Sequence, residues 1–512
     1  MSTAGSQLPA APAAGASDAP RRRLGVDTLA TLRPELHPRI DPRSLPIGIV
    51  HLGIGAFHRA HQAVYTEDAI AAAGGDWGIC GVTERSPAVV EQLAPQDGLY
   101  TLAQRGVDGE RLRVIGSVRE LRWAQADLPG LLERIAAPTT HVVTLTVSEK
   151  GYRHDPATNR LRLDDPAIAA DLERREAHTV VGQLALGLDR RRRQGGAPLT
   201  ILCCDNLPDN GRVLGGLVRE FAARLDDADR LLEWIDGAVR FPRTMVDRIT
   251  PATTAEDRAQ VSASLGAEDH GVVVTEPFTQ WVIEDDFAAA RPAWERAGAI
   301  LTDDVGPYEQ IKLRLLNGSH STIAYLGALA DYEFVAEAVS ADTPFLSVTR
   351  ALMADDVVPT LAVPDGFDVD AYQQQLLDRF ANPALRHRTL QIAMDGSQKL
   401  PQRLLGTVMD RRRVGAEPSL AALGVAAWMR FVSARRSDGG RPLTVDDPLA
   451  DEIAQRLRGR EDAASVVDGL LSMTQTFGPE LSRDEVFRGL LVDHLERLIA
   501  DGALDTARRL IG

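Results

Sequence analysis

The amino-acid sequence predicts an α/β fold: a parallel sheet with extra strands, followed by a largely α-helical C-terminal domain. Two observations lead to this prediction. Short apolar runs alternate with helix-like segments in the first half of the chain, as strands and crossover helices do in a parallel sheet. From about residue 305 onward, longer amphipathic segments predict helices instead. With 512 residues the chain has room for at least two domains.

The predicted strands are short runs rich in β-branched residues, and the predicted helices are longer segments with helical periodicity. We expect strands at residues 47–52, 77–82, 141–147, 199–204 and 271–274. We expect helices at residues 59–73, 128–135, 177–193 and 308–329.

The first of these elements form a strand, a glycine turn and a helix, which is how a Rossmann-type unit begins. Gly53 and Gly55 would let the backbone approach a pyrophosphate at the start of the helix, with Phe57 close by. The turn alone is a weak signal, and the flanking strand and helix strengthen it. His58, near the place of the usual third glycine, and His61 have the helical spacing of two metal ligands. Because no third ligand is nearby, we expect no metal.

The ribose of a dinucleotide is expected at the end of the second strand. Glu84 could accept a hydrogen bond from the ribose 2′-hydroxyl, which favours NAD. Arg85 could pair with a 2′-phosphate, which favours NADP. We expect NAD, with NADP as the alternative, although a solvated ion pair would leave the same two residues.

The predicted elements define the domain organisation. Residues 1–45 are expected to be a disordered tail and lead-in, because about the first 25 residues are rich in Ala, Pro and Ser. Residues 46–295 are expected to form the Rossmann dinucleotide-binding domain. Residues 296–512 are expected to form a helical domain that carries substrate-binding and catalytic groups.

Composition and charge exclude several classes of protein. Hydrophobic residues make up 44% and charged residues 25% of the chain, which is typical of a globular protein. The net charge of −15 argues against binding nucleic acid. No apolar run reaches the roughly 18 residues of a membrane-spanning helix. The 3 cysteines do not form a disulfide framework, so we expect a cytoplasmic location.

Lysine is rare in this chain. Among 57 basic residues the lysines are Lys150, Lys312 and Lys399. Arginine supplies a generic positive charge, but it cannot act as a base near neutral pH, whereas a buried lysine can. The lysines are therefore candidates for specific roles, against the alternative that chance retained them.

Lys312 lies in a predicted helix with Glu309, Asn317 and His320. At about 100° per residue these polar side chains share one side of the helix, and large apolar residues take the other. A solvated face would give the same division, but in this chain such a face would use arginine and glutamate. Asn206, in the polar turn after a predicted strand, is expected at the edge of the sheet where ligands bind.

These residue types suit the oxidation of an alcohol or the reverse reduction of a ketone. Lys312, desolvated in a closed site, would have a lowered pKa and could act as the base. Asn206 and Asn317 could donate hydrogen bonds to the developing alkoxide. His320 could hold a substrate hydroxyl, and Glu309 could carry the proton to solvent.

A cationic segment at residues 386–403 contains four basic side chains and a histidine. Such a cluster can clamp a carboxylate or a phosphate. Salt bridges on a helix surface would need the same residue types.

Several segments together resemble the mannitol dehydrogenase family, the long-chain polyol dehydrogenases. The resemblance runs from about residue 46 to near the C-terminus. The motifs that carry it are His51-Leu-Gly-Ile-Gly-Ala-Phe-His-Arg-Ala-His61, Thr146-Val-Ser-Glu-Lys-Gly-Tyr152, Cys204-Asp-Asn-Leu-Pro208, Met245-Val-Asp-Arg-Ile249, Glu276-Pro-Phe278 and Lys312-x-Arg-x-Leu-Asn-Gly-Ser-His320.

The resemblance implies a zinc-independent oxidoreductase that uses NAD or NADP, with its site in the cleft between a Rossmann domain and a helical domain. It implies that Lys312 is the general base and that Asn206 and Asn317 stabilise the oxyanion. It also implies that His320 positions the substrate and that Glu309 takes part in proton transfer.

Within the family, residues 386–403 are most similar to fructuronate reductases, also called mannonate oxidoreductases. The resemblance implies that Lys399 contacts substrate, and we expect Arg386 or Arg388 to share its carboxylate. Glu149 is expected on the cofactor side of the cleft, and the resemblance implies that Asp247 is a cofactor-side or relay aspartate.

The favoured function is NAD-dependent interconversion of D-fructuronate and D-mannonate. The alternatives are a mannitol 2-dehydrogenase acting on fructose and mannitol, and a mannitol-1-phosphate 5-dehydrogenase. A more distant alternative is a nucleotide-binding protein without catalysis, which would not need the lysine, asparagine and histidine of residues 312–320 together. The expected partner is a small sugar acid or polyol, with neither nucleic acid nor a membrane.

Overall fold

The computed structural model describes residues 21–155 and 158–511, which form an α/β N-terminal part and a helical C-terminal part. The strands of the described residues are β1 (Ile47–Leu52), β2 (Gly78–Thr83), β3 (Tyr100–Gly106), β4 (Gly109–Ile115), β5 (Val118–Trp123), β6 (Val142–Leu145), β7 (His154–Asp155), β8 (Arg160–Leu161), β9 (Leu199–Cys203), β10 (Val239–Arg240), β11 (Thr244–Asp247), β12 (Val273–Thr275), β13 (Gln280–Glu284) and β14 (Ile300–Thr302).

The central sheet has the strand order β10-β9-β6-β1-β2-β5, and all its neighbouring strands run parallel. Apolar side chains cover both faces, because β1, β2, β6 and β9 contribute to a buried cluster on each side. The carboxyl ends of β1, β6 and β9 meet at one edge. There the backbone N–H of Thr146 bonds to the Leu52 carbonyl at 2.9 Å, and that of Cys204 bonds to the Leu145 carbonyl at 2.8 Å.

The helices that accompany these strands are α1 (Ala56–Ala60), α2 (Gln62–Ala73), α3 (Ala88–Leu93), α4 (Leu128–Ala136), α5 (Pro166–Arg174), α6 (Val180–Arg193), α7 (Asn210–Ala222), α8 (Ala228–Ala238) and α9 (Ala255–Leu265). Side chains before several of them accept backbone N–H groups that the first turn leaves free, as Asp127 does for α4 and Thr179 for α6. The helix predicted at 59–73 is interrupted at His61, which has non-helical dihedral angles.

The extra strands form two small sheets, with the orders β12-β3-β4 and β11-β13-β14. The hairpin of β3 and β4 was not predicted. β3 is buried only over its first four residues, and β4, which carries Glu110, Arg111 and Arg113, is buried only over its last two. The two strands therefore lack the continuous apolar runs by which the parallel strands were recognised.

The C-terminal part is helical. Its helices are α10 (Gly306–Ile311), α11 (Ser319–Leu329), α12 (Val335–Ala338), α13 (Phe345–Ala351), α14 (Val369–Phe380), α15 (Thr389–Ile392), α16 (Gly396–Leu400), α17 (Gly406–Arg413), α18 (Ser419–Ala434), α19 (Ala450–Arg456), α20 (Ala463–Leu471), α21 (Thr474–Leu481), α22 (Glu485–Ala500) and α23 (Gly502–Ile511). In the ranges that the structure describes, none of the helices has the length and apolar character needed to cross a membrane.

The lead-in to the first strand differs from expectation. Residues 1–20 of the predicted tail lie outside the described residues. From Arg21 onward the chain is packed, with Leu24, Leu29 and Leu32 buried, and the backbone N–H of Leu24 bonds to the Glu268 carbonyl at 2.8 Å. The tail expected to be disordered up to about residue 25 is therefore packed over its last few residues, because Leu24 joins a buried apolar cluster with the leucines of the lead-in.

Candidate active site

A cavity of about 580 Å³ lies between the sheet edge and the helical part. The sheet side contributes the glycine turn, the loop after β6, the turn after β9 and the segment after β11. The helical side contributes residues of three segments: Lys312, Leu316, Asn317 and His320; His387, Gln391 and Ile392; Lys399 and Arg403. The residues singled out in four separate sequence motifs thus border one space.

A second cavity, of about 620 Å³, continues from the first along the sheet edge and shares Gly55, Thr146 and Ser148 with it. Gly53 has a φ of +94°, and a Cβ atom there would lie 2.1 Å from the Thr146 carbonyl oxygen. A Cβ atom on Gly55 would meet nothing nearer than 3.8 Å. The turn therefore needs glycine at 53 for its backbone, whereas glycine at 55 leaves open space in front of α1.

Glu84 and Arg85 border the second cavity, as the sequence predicted for a ribose site. Glu84 accepts a hydrogen bond of 2.8 Å from the side-chain amide of Gln183 on α6. Its other carboxylate oxygen is buried and has no hydrogen-bond partner among the described residues. Burial raises the pKa of Glu84 to about 7. This oxygen could accept a hydrogen bond from a hydroxyl group of a ligand in this cavity.

The turn after β9 and the loop after β6 are fastened to each other by Asp205. Its carboxylate accepts the backbone N–H groups of Val147 and Ser148, both at 2.9 Å, and the hydroxyl of Tyr152 at 2.5 Å. Ser148 adopts a φ of +69°, a strained conformation for a residue with a side chain. These bonds fix the position of Asn206, the next residue, at the cavity.

The predicted long helix at 308–329 is continuous, but it contains a π-helical segment from Lys312 to Gly318 between α10 and α11. Such wider turns are frequent at functional sites. The extra residue per turn brings Lys312 and Asn317, five positions apart, onto the same side, with His320 beyond them. Ile311 and Leu315 are buried on the opposite side, as the helical periodicity predicted.

Lys312 is 6% exposed and donates a hydrogen bond of 2.6 Å from its Nζ to Oδ1 of Asn206. Desolvation lowers the pKa of the Lys312 ammonium, and the carboxylate of Asp247 opposes that effect. A lysine with a lowered pKa that faces a cavity can exchange a proton with a bound oxygen near neutral pH.

Glu309 lies one turn before Lys312. A separate, water-sized space of about 20 Å³ borders Glu309, Lys312 and the turn after β9. Burial raises the pKa of Glu309 to about 7. The carboxyl group therefore titrates near neutral pH beside a small space that Lys312 also borders.

His320 and His387 border the cavity together, and their ring centroids lie 4.8 Å apart. Desolvation lowers the pKa of His320 well below its usual value and that of His387 to about 4, so both imidazoles are neutral near pH 7. The Nδ1 atom of His387 is buried and has no hydrogen-bond partner within the described parts of the chain. Neutral imidazoles can both donate to and accept from substrate hydroxyl groups.

Two cationic groups stand on the wall formed by residues 399–403. Lys399 donates to the carbonyl oxygens of Met394 at 2.6 Å and Ile392 at 3.3 Å. Arg403 donates to the hydroxyl of Ser321 at 3.0 Å. Neither forms an ion pair with any described carboxylate. Desolvation lowers the pKa of Lys399 to about 8, with Arg403 acting in the same direction.

Neither Arg386 nor Arg388, which were expected to share the substrate carboxylate, borders the cavity. Both side chains are exposed and lie over the ring of Phe334, 5.0 and 5.8 Å from its centroid. Arg388 also pairs with Glu333 at 3.2 Å. Arg386 has left-handed backbone angles, with a φ of +46°, whereas Arg388 is extended. His387, between them, borders the cavity, and so does Arg403 at the end of the segment.

The two acidic residues predicted on the cofactor side both border the cavity. Glu149, in the loop after β6, is exposed at the cavity. Asp247 is buried, and both of its carboxylate oxygens accept hydrogen bonds from Arg379, at 2.7 and 3.0 Å. Asp247 thus belongs to a domain-spanning ion pair, which the sequence did not indicate.

The two histidines weighed as metal ligands, His58 and His61, are both buried. The ring of His58 stacks on that of His51 with centroids 3.4 Å apart, and His61 bonds to the Gln280 carbonyl at 2.8 Å. Across the described residues, no group of three or more His, Cys, Asp or Glu side chains could hold a metal ion.

The fold and the site together define a class of protein. A parallel sheet with a glycine turn at its carboxyl edge faces a lysine of lowered pKa, two asparagines and a neutral histidine. That arrangement is suited to hydride transfer between a dinucleotide and an alcohol or ketone carbon, with the lysine as proton carrier.

Comparison with known proteins gives the family. Residues 47–296 match the mannitol dehydrogenase Rossmann domain, and residues 304–499 match the mannitol dehydrogenase C-terminal domain. The chain belongs to the mannitol dehydrogenase family of oxidoreductases, which confirms the predicted family and fold class.

Three similar proteins illustrate the range of the family. An uncharacterized oxidoreductase of Escherichia coli K12, YeiQ, is 43% identical over 93% of this chain and 98% of its own. D-Mannonate oxidoreductase of the same organism is 41% identical over 93% of this chain and 98% of its own. The structure of Pseudomonas fluorescens mannitol 2-dehydrogenase in a ternary complex with NAD and D-mannitol has a TM-score of 0.85 and 37% identity, and covers 96% of this chain and 99% of that one.

Proposed function

We propose that this protein is an NAD-dependent D-mannonate oxidoreductase. It would reduce the C5 ketone of D-fructuronate and, in the reverse direction, oxidise D-mannonate. The observation that carries the proposal is the pair of cations on the cavity wall, Lys399 and Arg403, neither of which has an ion-pair partner among the described residues. Partly buried cations without counter-charges favour an anionic ligand. The carboxylate of a hexuronate-derived ketose supplies that charge, whereas fructose and mannitol are neutral.

The named relatives are consistent with more than one substrate. The E. coli D-mannonate oxidoreductase is 41% identical to this chain, and the P. fluorescens mannitol 2-dehydrogenase is 37% identical. The difference in identity is too small to choose between a sugar acid and a polyol. The chemistry of the cavity wall is what supports the sugar acid in this proposal.

Two features of the second cavity fit a dinucleotide. The space in front of Gly55 is open because glycine has no side chain to occupy it. The oxygen of Glu84 that has no partner among the described residues could accept a hydrogen bond from a ribose hydroxyl. Gly53, Gly55 and Phe57 would hold the pyrophosphate and nicotinamide side, and Glu84 the adenosine ribose. When bound, NADH supplies the hydride.

The residues of the cavity would stabilise and then protonate the alkoxide that the reduction creates. Asn317 and the amide NH₂ of Asn206 would donate hydrogen bonds to the carbonyl oxygen as it becomes an alkoxide. The Lys312 ammonium would give that oxygen its proton, and Glu309 would replace the lost proton from solvent. His320 and His387 would hold neighbouring hydroxyl groups.

The test is the decay of NADH absorbance with purified protein, offered D-fructuronate, D-fructose and fructose 6-phosphate in parallel, and then repeated with NADPH. We expect fructuronate to have the highest kcat/KM. Preference for fructose would assign the protein to the polyol branch, and preference for the phosphate would make the cationic wall a phosphate site.

A nucleotide-binding protein without catalysis is tested separately by Lys312→Ala. An enzyme would lose turnover by about 10²–10⁴-fold while still binding NADH. If the unsubstituted protein binds NADH but turns over none of the three substrates, the catalytic proposal fails.

A further inference from the structure

A buried group of three charges joins the two domains beside the cavity. Arg379 donates to the two oxygens of Asp247 at 2.7 and 3.0 Å and to the two oxygens of Glu276 at 2.9 and 2.8 Å. The side chains of Arg379, Asp247 and Glu276 are 5%, 5% and 1% exposed. The ring centroid of Phe278 lies 4.0 Å from the guanidinium carbon. The guanidinium is therefore held from three directions.

The elements that carry these charges also carry the site. Asp247 ends β11 and Glu276 follows β12, whereas Arg379 lies near the end of α14 in the helical part. The next residue, Phe380, packs against the ring of His320 with centroids 5.2 Å apart. One end of α14 thus touches both an acidic residue of the sheet side and a histidine of the site.

The charges around Lys312 come from several elements. Desolvation lowers its pKa most; Asp247 and Glu309 act to raise it, and Arg403 and Arg379 act to lower it. His61 also faces Lys312, and burial lowers the pKa of its imidazole to about 3, so it is neutral near pH 7. Among these charged groups Asp247 acts on Lys312 most strongly, and Asp247 is the one whose two oxygens Arg379 covers.

We propose that Arg379 is a positioning residue: from the helical part it holds and neutralises the Asp247 carboxylate at the cavity that Lys312 also borders. The inference rests on the proposed function only in treating Lys312 as the proton carrier. The pairing itself, and its effect on Lys312, do not depend on which substrate is used.

The direction of each effect follows from the charges. Arg379→Met would leave Asp247 and Glu276 uncompensated, which stabilises the Lys312 ammonium and raises its pKa, by about one unit or more. Asp247→Asn would remove one negative charge while Arg379 keeps its pair with Glu276, and the pKa of Lys312 would fall. The double variant would lie between the two single variants.

The scarcity of lysine makes the test direct. Protein labelled with ¹³C at the lysine Cε would give signals from the three lysines of the sequence, Lys150, Lys312 and Lys399, and loss of one signal in Lys312→Met assigns it. The pH titration of that signal, recorded without cofactor or substrate, reports the protonation of Lys312 in each variant. We expect the shifts above, and we expect Arg379→Lys, which keeps a positive charge, to lie closer to the unsubstituted protein than Arg379→Met.

Removing a buried ion-pair partner is destabilising, so a control for general damage is needed. Arg191 is also buried, but it donates to backbone carbonyls at the amino end of the sheet, among them those of Ile135 and Thr140. Arg191→Met should lower the melting temperature without moving the Lys312 titration.

If Arg379→Met fails to fold, Asp247→Asn decides, because it leaves the Arg379–Glu276 pair intact. An Asp247→Asn protein in which Lys312 titrates as before, or an equal shift in Arg191→Met, would overturn the proposal. Absence of turnover with every sugar offered would contradict the proposed function alone, since the lysine titration needs no substrate.

Discussion

The Nζ atom of Lys312 and the Oδ1 atom of Asn206 lie 2.6 Å apart, and this hydrogen bond crosses from the helical part to the turn after β9. Because an ammonium group can only donate, the bond fixes which end of the Asn206 amide faces the lysine. The NH₂ group is thereby free to point at a bound oxygen. A single contact thus orients an oxyanion donor and keeps the proton carrier next to it.

Asn206→Ala should lower kcat for the proposed reduction by about 10²–10³-fold, because one donor to the developing alkoxide is lost. NADH affinity should change little, since Asn206 does not border the second cavity. Steady-state kinetics and the quenching of protein fluorescence by NADH measure the two effects. Loss of NADH affinity equal to the loss of kcat would show that Asn206 shapes the cofactor site instead.

Glu309→Gln should remove an inflection near pH 7 from the rate of alcohol oxidation. The pKa of Glu309 is raised to about 7, so its carboxylate form, which can accept the proton leaving Lys312, accumulates as the pH rises through that value. In the unsubstituted protein the oxidation rate should therefore increase through pH 7. In the variant it should be lower and should follow the titration of Lys312 alone.

A pH profile of kcat from about pH 5.5 to about pH 9.5, recorded in H₂O and in D₂O, extends well to either side of the value near 7 for Glu309 and tests this prediction. If the inflection near pH 7 survives in Glu309→Gln, another group carries the proton.

Much of the site could be predicted from the sequence because its chemistry is local. Lys312, Asn317 and His320 lie within nine residues of one helix, and helical periodicity alone groups them. The rarity of lysine and asparagine then separated them from an ordinary solvated face. The glycine turn was found in the same way, from a strand and a helix that flank it.

The remainder depends on contacts between distant parts of the chain, which periodicity does not encode. Arg379 pairs with Asp247, which lies 132 residues away in the sequence. Nothing in the amino-acid sequence of α14 distinguishes Arg379 from an exposed arginine. In the segment 386–403, local composition could not tell which cation faces inward. Arg386 and Arg388 are exposed, whereas His387, Lys399 and Arg403 border the cavity.

Gly55→Val should weaken NADH binding while leaving the fold intact. A Cβ atom at this position would have no neighbour closer than 3.8 Å and φ at Gly55 is −82°, so a side chain is sterically allowed in the free protein. The added side chain would occupy the space in front of α1 where a pyrophosphate would approach. We expect at least a tenfold rise in KM for NADH, which corresponds to about 1.4 kcal/mol of lost binding.

The matched comparison is Gly53→Ala, whose Cβ atom would lie 2.1 Å from the Thr146 carbonyl. That variant should lose melting temperature or fail to accumulate, whereas Gly55→Val should melt as the unsubstituted protein does. Equal melting temperatures together with an unchanged KM in Gly55→Val would place the dinucleotide elsewhere.

Lys399→Met and Arg403→Met should each raise KM for D-fructuronate more than KM for D-fructose. Both cations border the cavity and lack a carboxylate partner among the described residues, so the carboxylate of the sugar acid would be their counter-ion. Loss of one charged hydrogen bond should cost about 1.5–3 kcal/mol, or roughly 10–100-fold in kcat/KM for the acid. The neutral ketose should lose much less.

Arg388→Met is the matched control, because this arginine belongs to the same segment but lies exposed over Phe334 and pairs with Glu333. It should leave both substrates unaffected within about twofold, since surface ion pairs contribute little. The ratio of kcat/KM for the two substrates in each variant is the measurement. Equal losses for fructuronate and fructose in Lys399→Met and Arg403→Met would mean that the cations shape the cavity without reading a carboxylate.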